Sequence, residues 1–488
     1  MSSGELFIDG KWAPAGGSSF SSLDPATGET VWQGAAAAPD DVAAAVGAAE
    51  RAGNGWSTCS LEERAAVVTA FGEQLDTHRE ELAGLIGREV GKPPWESNAE
   101  VSSMIAKIDI SRRAHLERCS PIESSSDGVS QSAHFHPHGV MAVFGPFNFP
   151  GHLPNGHIVP ALLAGNTVVL KPSEQAPAVA ECMVAAWQAA GLPAGVVNLV
   201  QGGHDTGLAL AGDDRLDGLL FTGSYRAGAT LAEKLARRTG VIVALEMGGN
   251  NPLVVHDVAD VDAAVLVTIQ SAYATAGQRC TCARRLIVAR GEAGDAFIDR
   301  LVARIGRVRV GCRTDVPEPF MGPVISAKAA RAVLDGQAAL LEGGGRGLVE
   351  CEAVGDVAAL LRPGLIDVTE VAERADEEIF GPLLQIIRTD DFAAAVEEAR
   401  RTRFGLAAAL LSDRREHYEH FRSRVRAGCV NWNRPTTGAS SALPFGGLGH
   451  SGNHRPSAYF ATDYCAYPVA SIEADALVAP TGVVGLDG

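Results

Sequence analysis

The sequence of 488 residues has no apolar run of the roughly 18 residues that a membrane-spanning helix needs. Residues 1–10 lack the charged start and apolar stretch of a signal peptide. Positive charge is also scarce, because 41 lysines and arginines stand against 58 acidic residues, for a net charge of −17. These absences predict a cytoplasmic protein whose main partner is neither nucleic acid nor a membrane.

Cysteine patterns that predict disulfides or metal sites are missing as well. The nine cysteines have irregular spacing, which does not predict a disulfide framework. Cys280 and Cys282 form a Cys-x-Cys pair, but no second pair of closely spaced cysteines occurs to complete a site with it, so no metal site is predicted. The segment at residues 221–228, where a glycine and a hydroxyl follow a predicted strand, does not match the Gly-x-Gly-x-x-Gly fingerprint of many dinucleotide-binding proteins.

Short apolar runs alternate with helical patterns from Gly139 onwards. The length suggests about two to four domains, and the alternation predicts an α/β fold class with a parallel, doubly wound, Rossmann-type sheet followed by a second α/β set. Ligands of such sheets bind beyond the carboxyl ends of the strands. A capping-box spacing at Asp413 and Glu416 predicts a helix that runs to Arg426. The predicted strands are residues 140–144, 167–170, 196–200, 218–221 and 241–245, and in the second set 253–255, 285–288, 384–387 and 407–411.

Cys280 and Glu246 are the candidate catalytic pair. Cys280 ends the run Gly-Gln-Arg-Cys, and Glu246 follows an apolar strand and precedes two glycines. A thiol that attacks a carbonyl needs a base nearby to hydrolyse the thioester that it forms, which predicts covalent aldehyde oxidation. Alternatively, Cys280 is a structural cysteine, and Cys282 is the rival nucleophile. The alternative for Glu246 is an exposed charge at a strand end.

Asn148 is the candidate donor to an oxyanion. It lies between prolines and phenylalanines in the run Gly-Pro-Phe-Asn-Phe-Pro, which would hold its side chain rigid. A fixed NH₂ group can stabilise the negative oxygen that forms when a carbonyl is attacked. An asparagine before an aromatic residue is also a common turn residue, and that alternative stays open.

Three segments are suited to a dinucleotide. The first segment is the end of the predicted strand at residues 167–170, which presents Lys171 and Glu174 to the adenosine ribose. A carboxylate at this position repels a 2′-phosphate, which predicts NAD rather than NADP as the cofactor. The second segment, residues 221–228, has a glycine and a hydroxyl at a helix start, where backbone N–H groups favour a pyrophosphate. The third segment, residues 377–382, could offer a carboxylate to the nicotinamide ribose and an aromatic ring to the nicotinamide. The alternatives are a tight turn for the second segment, and a charged helix end with a core phenylalanine for the third. The second and third segments contribute Gly223, Ser224, Gly228, Glu378 and Phe380.

The motifs GPFNFP, VVLKPSE, FTGS, LEMGGN, GQRC, EIFGP and PFGG occur in this order. Together they resemble the aldehyde dehydrogenase superfamily, from about residue 6 to about residue 470. The resemblance implies an NAD-dependent enzyme with Cys280 as nucleophile, Glu246 as general base and Asn148 as oxyanion donor. It also implies cofactor contacts for Lys171, Glu174, Gly223, Ser224, Glu378 and Phe380.

The resemblance further implies three structural parts and an assembly. An NAD-binding domain is expected over residues 1–118 and 139–248, and a catalytic domain over residues 249–445. A small β oligomerisation arm with the C-terminal segment is expected over residues 119–138 and 446–488. An arm of this kind implies a homodimer or a homotetramer.

Residues 151–157, 431–440 and 452–459 resemble one group of semialdehyde dehydrogenases within the superfamily. That likeness implies a small anionic substrate, a semialdehyde with two carboxylates, which an acidic protein must meet with local cations. The candidates are Arg434, Arg455, His152 and His454. Arginines also cap helices or bridge subunits, and histidines in turns are often structural.

Three other functions remain open from the sequence. A dehydrogenase of another semialdehyde would share every motif above. A coenzyme A-acylating dehydrogenase would release its thioester to a thiol and would have no need of Glu246. A non-catalytic protein could retain the fold without the reaction.

Overall fold

The computed structural model describes residues 4–126, 129–477, 479 and 482–485. Two seven-stranded sheets with helices packed on them form most of the chain. The strands are β1 (Leu6–Ile8), β2 (Lys11–Ala13), β3 (Ser19–Leu23), β4 (Thr30–Ala35), β5 (Ile122–Ser126), β6 (Val129–Pro137), β7 (Val140–Phe144), β8 (Thr167–Lys171), β9 (Val197–Leu199), β10 (Gly218–Gly223), β11 (Ile242–Met247), β12 (Asn251–Val255), β13 (Ala283–Ala289), β14 (Arg346–Val349), β15 (Ala353–Val354), β16 (Val357–Leu361), β17 (Gly364–Asp367), β18 (Leu383–Thr389), β19 (Ala407–Leu411), β20 (Cys429–Trp432), β21 (Pro444–Phe445), β22 (Ser457–Ala458) and β23 (Ala466–Ala474).

The helices are α1 (Pro39–Trp56), α2 (Leu61–Thr77), α3 (Arg79–Val90), α4 (Pro94–Arg118), α5 (His152–Ala164), α6 (Pro177–Ala189), α7 (His204–Gly212), α8 (Tyr225–Leu235), α9 (Val261–Tyr273), α10 (Glu292–Ile305), α11 (Ala327–Glu342), α12 (Phe392–Arg400), α13 (Arg415–Arg424) and α14 (Ala461–Cys465). Two short 3₁₀ helices cover Ala274–Gly277 and Gly449–Ser451. In the part of the chain that the structure describes, no helix combines the length and apolarity needed to cross a bilayer.

The first sheet has the strand order β11-β10-β7-β8-β9-β1-β2. Its first five strands are parallel, and the β1–β2 hairpin joins the edge through an antiparallel pairing with β9. Side chains of β7 alternate between two cores: Met141 and Val143 face one, and Val140, Ala142 and Phe144 face the other. Both faces of the sheet are therefore covered by other parts of the protein, as the apolar run of β7 predicts. All five strands predicted for the first set are confirmed.

The second sheet has the order β14-β17-β18-β13-β12-β19-β20 and is parallel except at β14. It confirms the four predicted strands of the second set and adds β14, β17 and β20. The chain passes directly from β11 to β12, so the loop after Glu246 joins the carboxyl edge of the first sheet to the amino edge of the second. The short link brings the ends of the two sheets together.

A third sheet stands apart from these two, with the order β23-β6-β5. β23 pairs antiparallel with β6 along its whole length. Large apolar side chains of this sheet are open to solvent, with Ile122 67% and Ile472 76% exposed. Surfaces of this kind commonly pack against another protein chain.

The capping box expected before α13 is wrong. The helix begins at Arg415 rather than after Asp413, and its N-cap residue Arg414 makes no side-chain cap hydrogen bond. The carboxylate of Asp413 instead accepts a hydrogen bond from the backbone N–H of Ala259, at 2.8 Å. The Asp413 carboxylate, which the local spacing predicts as a cap of the helix, is therefore used in a tertiary contact with Ala259 instead.

Candidate active site

A cavity of about 1200 Å³ lies where the two sheets meet. Its wall includes the loops that follow β7, β8, β10 and β11, at the carboxyl edge where a doubly wound sheet is expected to bind its ligand. The cavity brings together most of the predicted site residues: Cys280, Glu246, Asn148, Lys171, Glu174, Gly223, Ser224, Glu378, Phe380 and His152.

Cys280 lies on the cavity wall, on a loop held by buried hydrogen bonds. The side-chain N–H groups of Asn251 donate to the carbonyls of Cys280 and Cys282, at 2.7 and 2.9 Å. The backbone just before this loop turns through left-handed conformations at Thr275 and Ala276, with φ of 56° and 52°. Strained backbone at a site is typical of segments whose position matters for function. Cys282 is fully buried and does not line the cavity, so its position is unfavourable for a nucleophile.

The surroundings of Cys280 favour the protonated form of its thiol. Burial raises its pKa, and the nearby carboxylates of Glu378 and Glu246 raise it further. A thiolate must form before attack on a carbonyl, so a nucleophilic Cys280 would need a group that removes this proton.

Glu246 is the candidate for such a group. One carboxylate oxygen, Oε1, accepts a hydrogen bond from the backbone N–H of Ser457 at 3.2 Å. The other oxygen, Oε2, is enclosed and has no hydrogen-bond partner among the described residues. Burial raises the pKa of Glu246 well above its ordinary value. A carboxyl group with a raised pKa and a free oxygen is suited to accept a proton from a thiol or from water.

Asn148 is buried in the loop after β7. Its Nδ2 donates to the backbone carbonyl of Gln278 at 2.8 Å. The Gln278 side chain is itself fixed, because its Oε1 accepts from the N–H of Ile325 at 2.9 Å. An amide carries two N–H donors, so one can hold Asn148 in place while the other serves the cavity.

The cavity also has the features that a dinucleotide requires. Lys171, at the end of β8, is buried, its pKa is lowered by burial to about 8, and its Nζ donates to the carbonyl of Pro172 at 2.7 Å. Glu174 lies exposed at the rim. Ser224 caps α8, accepting from the N–H of Ala227 at 3.3 Å, and the first turn of the helix borders the cavity. These residues fit a ribose beside β8 and a pyrophosphate at the helix start.

Gly228 lies outside the cavity wall, contrary to the expectation that it contacts the cofactor. It is a buried residue of α8, and an added Cβ would come within 2.4 Å of the sulfur of Met247. The absence of a side chain at Gly228 lets the helix pack closely on β11. Its role in the structure is packing.

Glu378 and Phe380 are positioned by a buried cation that the sequence analysis missed. Arg284 is 1% exposed and bridges two loops. Its Nη1 donates to the carbonyl of Gly277 at 2.7 Å, and its Nη2 donates to Oε1 of Glu378 at 3.1 Å. The Arg284 guanidinium also lies over the ring of Phe380, 5.4 Å from the centroid. The sequence does carry a signal for this residue, because Arg284 lies in the apolar run Ala-Arg-Arg-Leu-Ile-Val-Ala. An arginine that is buried requires partners, so its position in such a run indicates a structural or functional contact.

Of the four cationic candidates for the substrate, only His152 lines the cavity. Burial and the nearby charges of Lys107 and Lys92 lower its pKa to about 3, so its imidazole is neutral and can act only through hydrogen bonds. Arg434, Arg455 and His454 are exposed and lie outside the cavity wall, which corrects the expectation for these three. Their sequence neighbours, including Thr437, Ser440 and Ser457, line the cavity instead.

A thiol, a free carboxylate and an amide beside a cleft of dinucleotide size define an oxidoreductase that acts on aldehydes through a covalent intermediate. The sequence model of the aldehyde dehydrogenase family matches residues 12–468, and the chain therefore belongs to that family.

Relatives and solved structures agree with this assignment. The N-succinylglutamate 5-semialdehyde dehydrogenase of Chromobacterium violaceum is 56% identical over 475 residues, which cover 97% of this chain and 98% of that protein. An NADP-dependent enzyme of E. coli is similar in structure with a TM-score of 0.91, at 30% identity, over 96% of this chain and 98% of that one. A betaine aldehyde dehydrogenase of Staphylococcus aureus, solved with NAD⁺, has a TM-score of 0.91 at 25% identity, over 98% and 97% of the two chains.

Proposed function

We propose that the protein oxidises N-succinyl-L-glutamate 5-semialdehyde to N-succinyl-L-glutamate with NAD, a step of arginine degradation through succinylated intermediates. The observation that carries this proposal is the 56% identity, over nearly the whole chain, to an enzyme named for that substrate. Cys280, Glu246 and Asn148 meet in one cavity, which supports a catalytic protein over a non-catalytic one that retains the fold.

In the first half of the reaction, Cys280 loses its proton into the cavity, with Glu246 as the carboxylate that relays it to water. The thiolate then attacks the aldehyde carbon and forms a thiohemiacetal. The second N–H of Asn148 donates to the oxygen that becomes negative. When bound, the nicotinamide supplies the acceptor for the hydride. Loss of that hydride leaves the acyl group on the sulfur of Cys280 as a thioester.

In the second half, Glu246 accepts a proton from a water molecule that attacks the thioester carbon. The carbon–sulfur bond breaks, the carboxylic acid leaves, and the thiolate of Cys280 is protonated again. The free oxygen of Glu246 makes hydrolysis by water the favoured route. A coenzyme A-acylating enzyme would need no such base, and turnover that is independent of added coenzyme A tests this distinction.

The cofactor is proposed to bind along the residues already described. Lys171 and Glu174 hold the adenosine ribose, and the negative charge of Glu174 disfavours the 2′-phosphate of NADP. Gly223 and Ser224, at the start of α8, hold the pyrophosphate. Glu378 and Phe380 contact the nicotinamide riboside. The comparison of kcat/KM for NAD and NADP, with a preference for NAD, is the expected outcome.

We propose the domains and the assembly that the resemblance to the aldehyde dehydrogenase superfamily implies. Residues 1–118 and 139–248 form the NAD-binding domain, residues 249–445 the catalytic domain, and residues 119–138 with 446–488 the arm and C-terminal segment. The exposed apolar side chains of Ile122 and Ile472 on the third sheet support an arm that joins subunits of a homodimer or homotetramer. The free thiols of the nine cysteines suit a cytoplasmic location.

Replacing Asn148 with alanine is expected to lower kcat by about 10²- to 10³-fold, because the transition state loses a fixed donor to its oxyanion. NAD affinity should change little, since Asn148 is proposed to contact the substrate oxygen rather than the cofactor. Asn98, an exposed amide on α4, provides the matched control variant Asn98→Ala, which should keep full activity. A kcat within twofold of the wild type would remove Asn148 from the reaction.

Substrate choice is tested by a panel of semialdehydes. We expect kcat/KM for N-succinylglutamate 5-semialdehyde to exceed that for glutamate 5-semialdehyde and succinate semialdehyde by at least about tenfold, because buried polar groups built for one substrate stay unpaired with another. NADH absorbance provides the measurement. Equal values with and without the succinyl group would reject the narrow assignment and leave the general aldehyde dehydrogenase activity in place.

A further inference from the structure

A buried lysine without an anionic partner forms part of the cavity wall. We propose that Lys107 binds a carboxylate of the substrate and so determines the preference for an anionic semialdehyde. The inference rests on the proposed function, because it assigns the binding site for one of the two carboxylates of that substrate.

Lys107 lies on α4 and is only 2% exposed. It lines the cavity that contains Cys280. It makes no hydrogen bond or ion pair with any residue that the structure describes, and the charged form of its amine interacts electrostatically with a thiol, Cys465, rather than with a carboxylate. Burying an ammonium group without a partner is costly, so a partner is expected from outside the chain.

The other two deeply buried lysines in the described part of the chain are both satisfied. Nζ of Lys92 forms an ion pair with Oε2 of Glu100 at 2.6 Å. Nζ of Lys171 donates to the carbonyl of Pro172 at 2.7 Å. Lys107 is therefore the exception, and it is an exception inside the cavity where an anionic substrate is required.

The surroundings of Lys107 leave room for a carboxylate. Its side chain passes α5 at Gly156, where an added Cβ would lie 4.0 Å from its Cε. His152, one turn earlier on α5, also lines the cavity, and its Nδ1 is enclosed without a partner in the described structure. His157 is already occupied, because its ring nitrogens contact the hydroxyls of Tyr464 and Thr222. An ammonium and a neutral imidazole thus face the same space.

The charge of Lys107 is available near neutral pH. Burial lowers its pKa to about 8, and the ionisable groups that interact electrostatically with it are His152 and His157 of α5 and Cys465 of α14. Both histidines have pKa values lowered to about 3 and are neutral. The positive charge at this end of the cavity therefore belongs to Lys107 alone among these four groups.

The position of Lys107 places it on the substrate side of the cavity. Other residues of the same cavity wall come from α4 and from the start of α5 or just before it, namely Ser103, Phe149, His152, Leu153 and Gly156. The proposed cofactor residues come from the loops after β8 and β10. Because α5 begins four positions after Asn148, the Lys107 region continues directly from the proposed oxyanion donor.

The test compares Lys107→Met and Lys107→Arg with the wild type on two substrates, N-succinylglutamate 5-semialdehyde and the neutral aldehyde hexanal. In Lys107→Met we expect kcat/KM for the anionic substrate to fall about 30- to 100-fold, mainly through KM, which corresponds to the loss of a charge-assisted hydrogen bond. For hexanal it should stay within about threefold. Lys107→Arg, which keeps the charge, should recover part of the loss, and Lys328→Met on exposed α11 should behave as the wild type.

A measurement of Tm separates binding from a structural role. Methionine has a similar length and no charge, so Lys107→Met should keep or raise the Tm. A parallel loss on both substrates with a lowered Tm would overturn the proposal. A wild type that prefers the anionic substrate, with that preference kept in Lys107→Met, would also overturn it but leave the proposed function standing. A wild type without that preference would reject the proposed substrate itself.

Discussion

Replacing Cys280 with serine is expected to lower kcat by at least about 10⁴-fold, because a hydroxyl is far less acidic than a thiol and no thioester can form. The protein should remain folded, since the change is small and the cavity wall tolerates a polar group. Steady-state NADH absorbance with the semialdehyde measures the effect. Cys312→Ser, at a half-buried thiol outside the cavity, is the matched control and should retain wild-type activity. More than a tenth of the activity surviving in Cys280→Ser would place the nucleophile elsewhere.

Replacing Glu246 with glutamine is expected to separate the two halves of the reaction. Glutamine keeps the shape but cannot accept a proton, so hydrolysis of the thioester should slow by about 10²- to 10⁴-fold. A rapid-mixing experiment should show a slowed burst of NADH close to one equivalent per active site, followed by very slow turnover. Glu416→Gln, on the exposed first turn of α13, should leave both phases unchanged. Full steady-state activity in Glu246→Gln would remove this residue from the mechanism.

The same variant gives a pH test. Burial raises the pKa of Glu246, so the neutral acid persists to a higher pH than for an exposed glutamate. Only the carboxylate can act as a base, and kcat in the wild type should therefore rise with pH through that raised pKa. When hydrolysis limits turnover, Glu246→Gln should lose this dependence. A wild-type kcat that is flat across the range would contradict the assigned base.

The parts of the fold that the sequence predicts well are the buried parallel strands. β7 and β19 match their predicted bounds because each is a run of apolar residues with no polar interruption. β17 and β20 were missed because they are short and carry polar side chains. Asp367, for example, lies inside β17 and is satisfied there by Thr369 and Arg388, a partnership that only the tertiary structure provides.

Some residues of the candidate site could also be predicted from the sequence, and others could not. Glu246 and Lys171 lie at the carboxyl ends of apolar strands, and Asn148 lies in the loop after one. Parallel strands place their carboxyl ends at one edge of the sheet, so sequence position alone predicts that these residues meet. Arg284 and Lys107 lie within a strand and a helix, where no local pattern indicates which side chains face a cavity. Arg434, Arg455 and His454 were misassigned because a residue close to a cavity in sequence can still point its side chain to solvent.

The most direct test of the account is mass spectrometry of the covalent intermediate. Glu246→Gln is mixed with NAD and N-succinylglutamate 5-semialdehyde, quenched in acid and digested. We expect the peptide containing Cys280 to gain the mass of the N-succinylglutamyl acyl group, and this gain to disappear when NAD is omitted. The acyl group found on another cysteine, or no adduct while NADH is produced, would contradict this expectation.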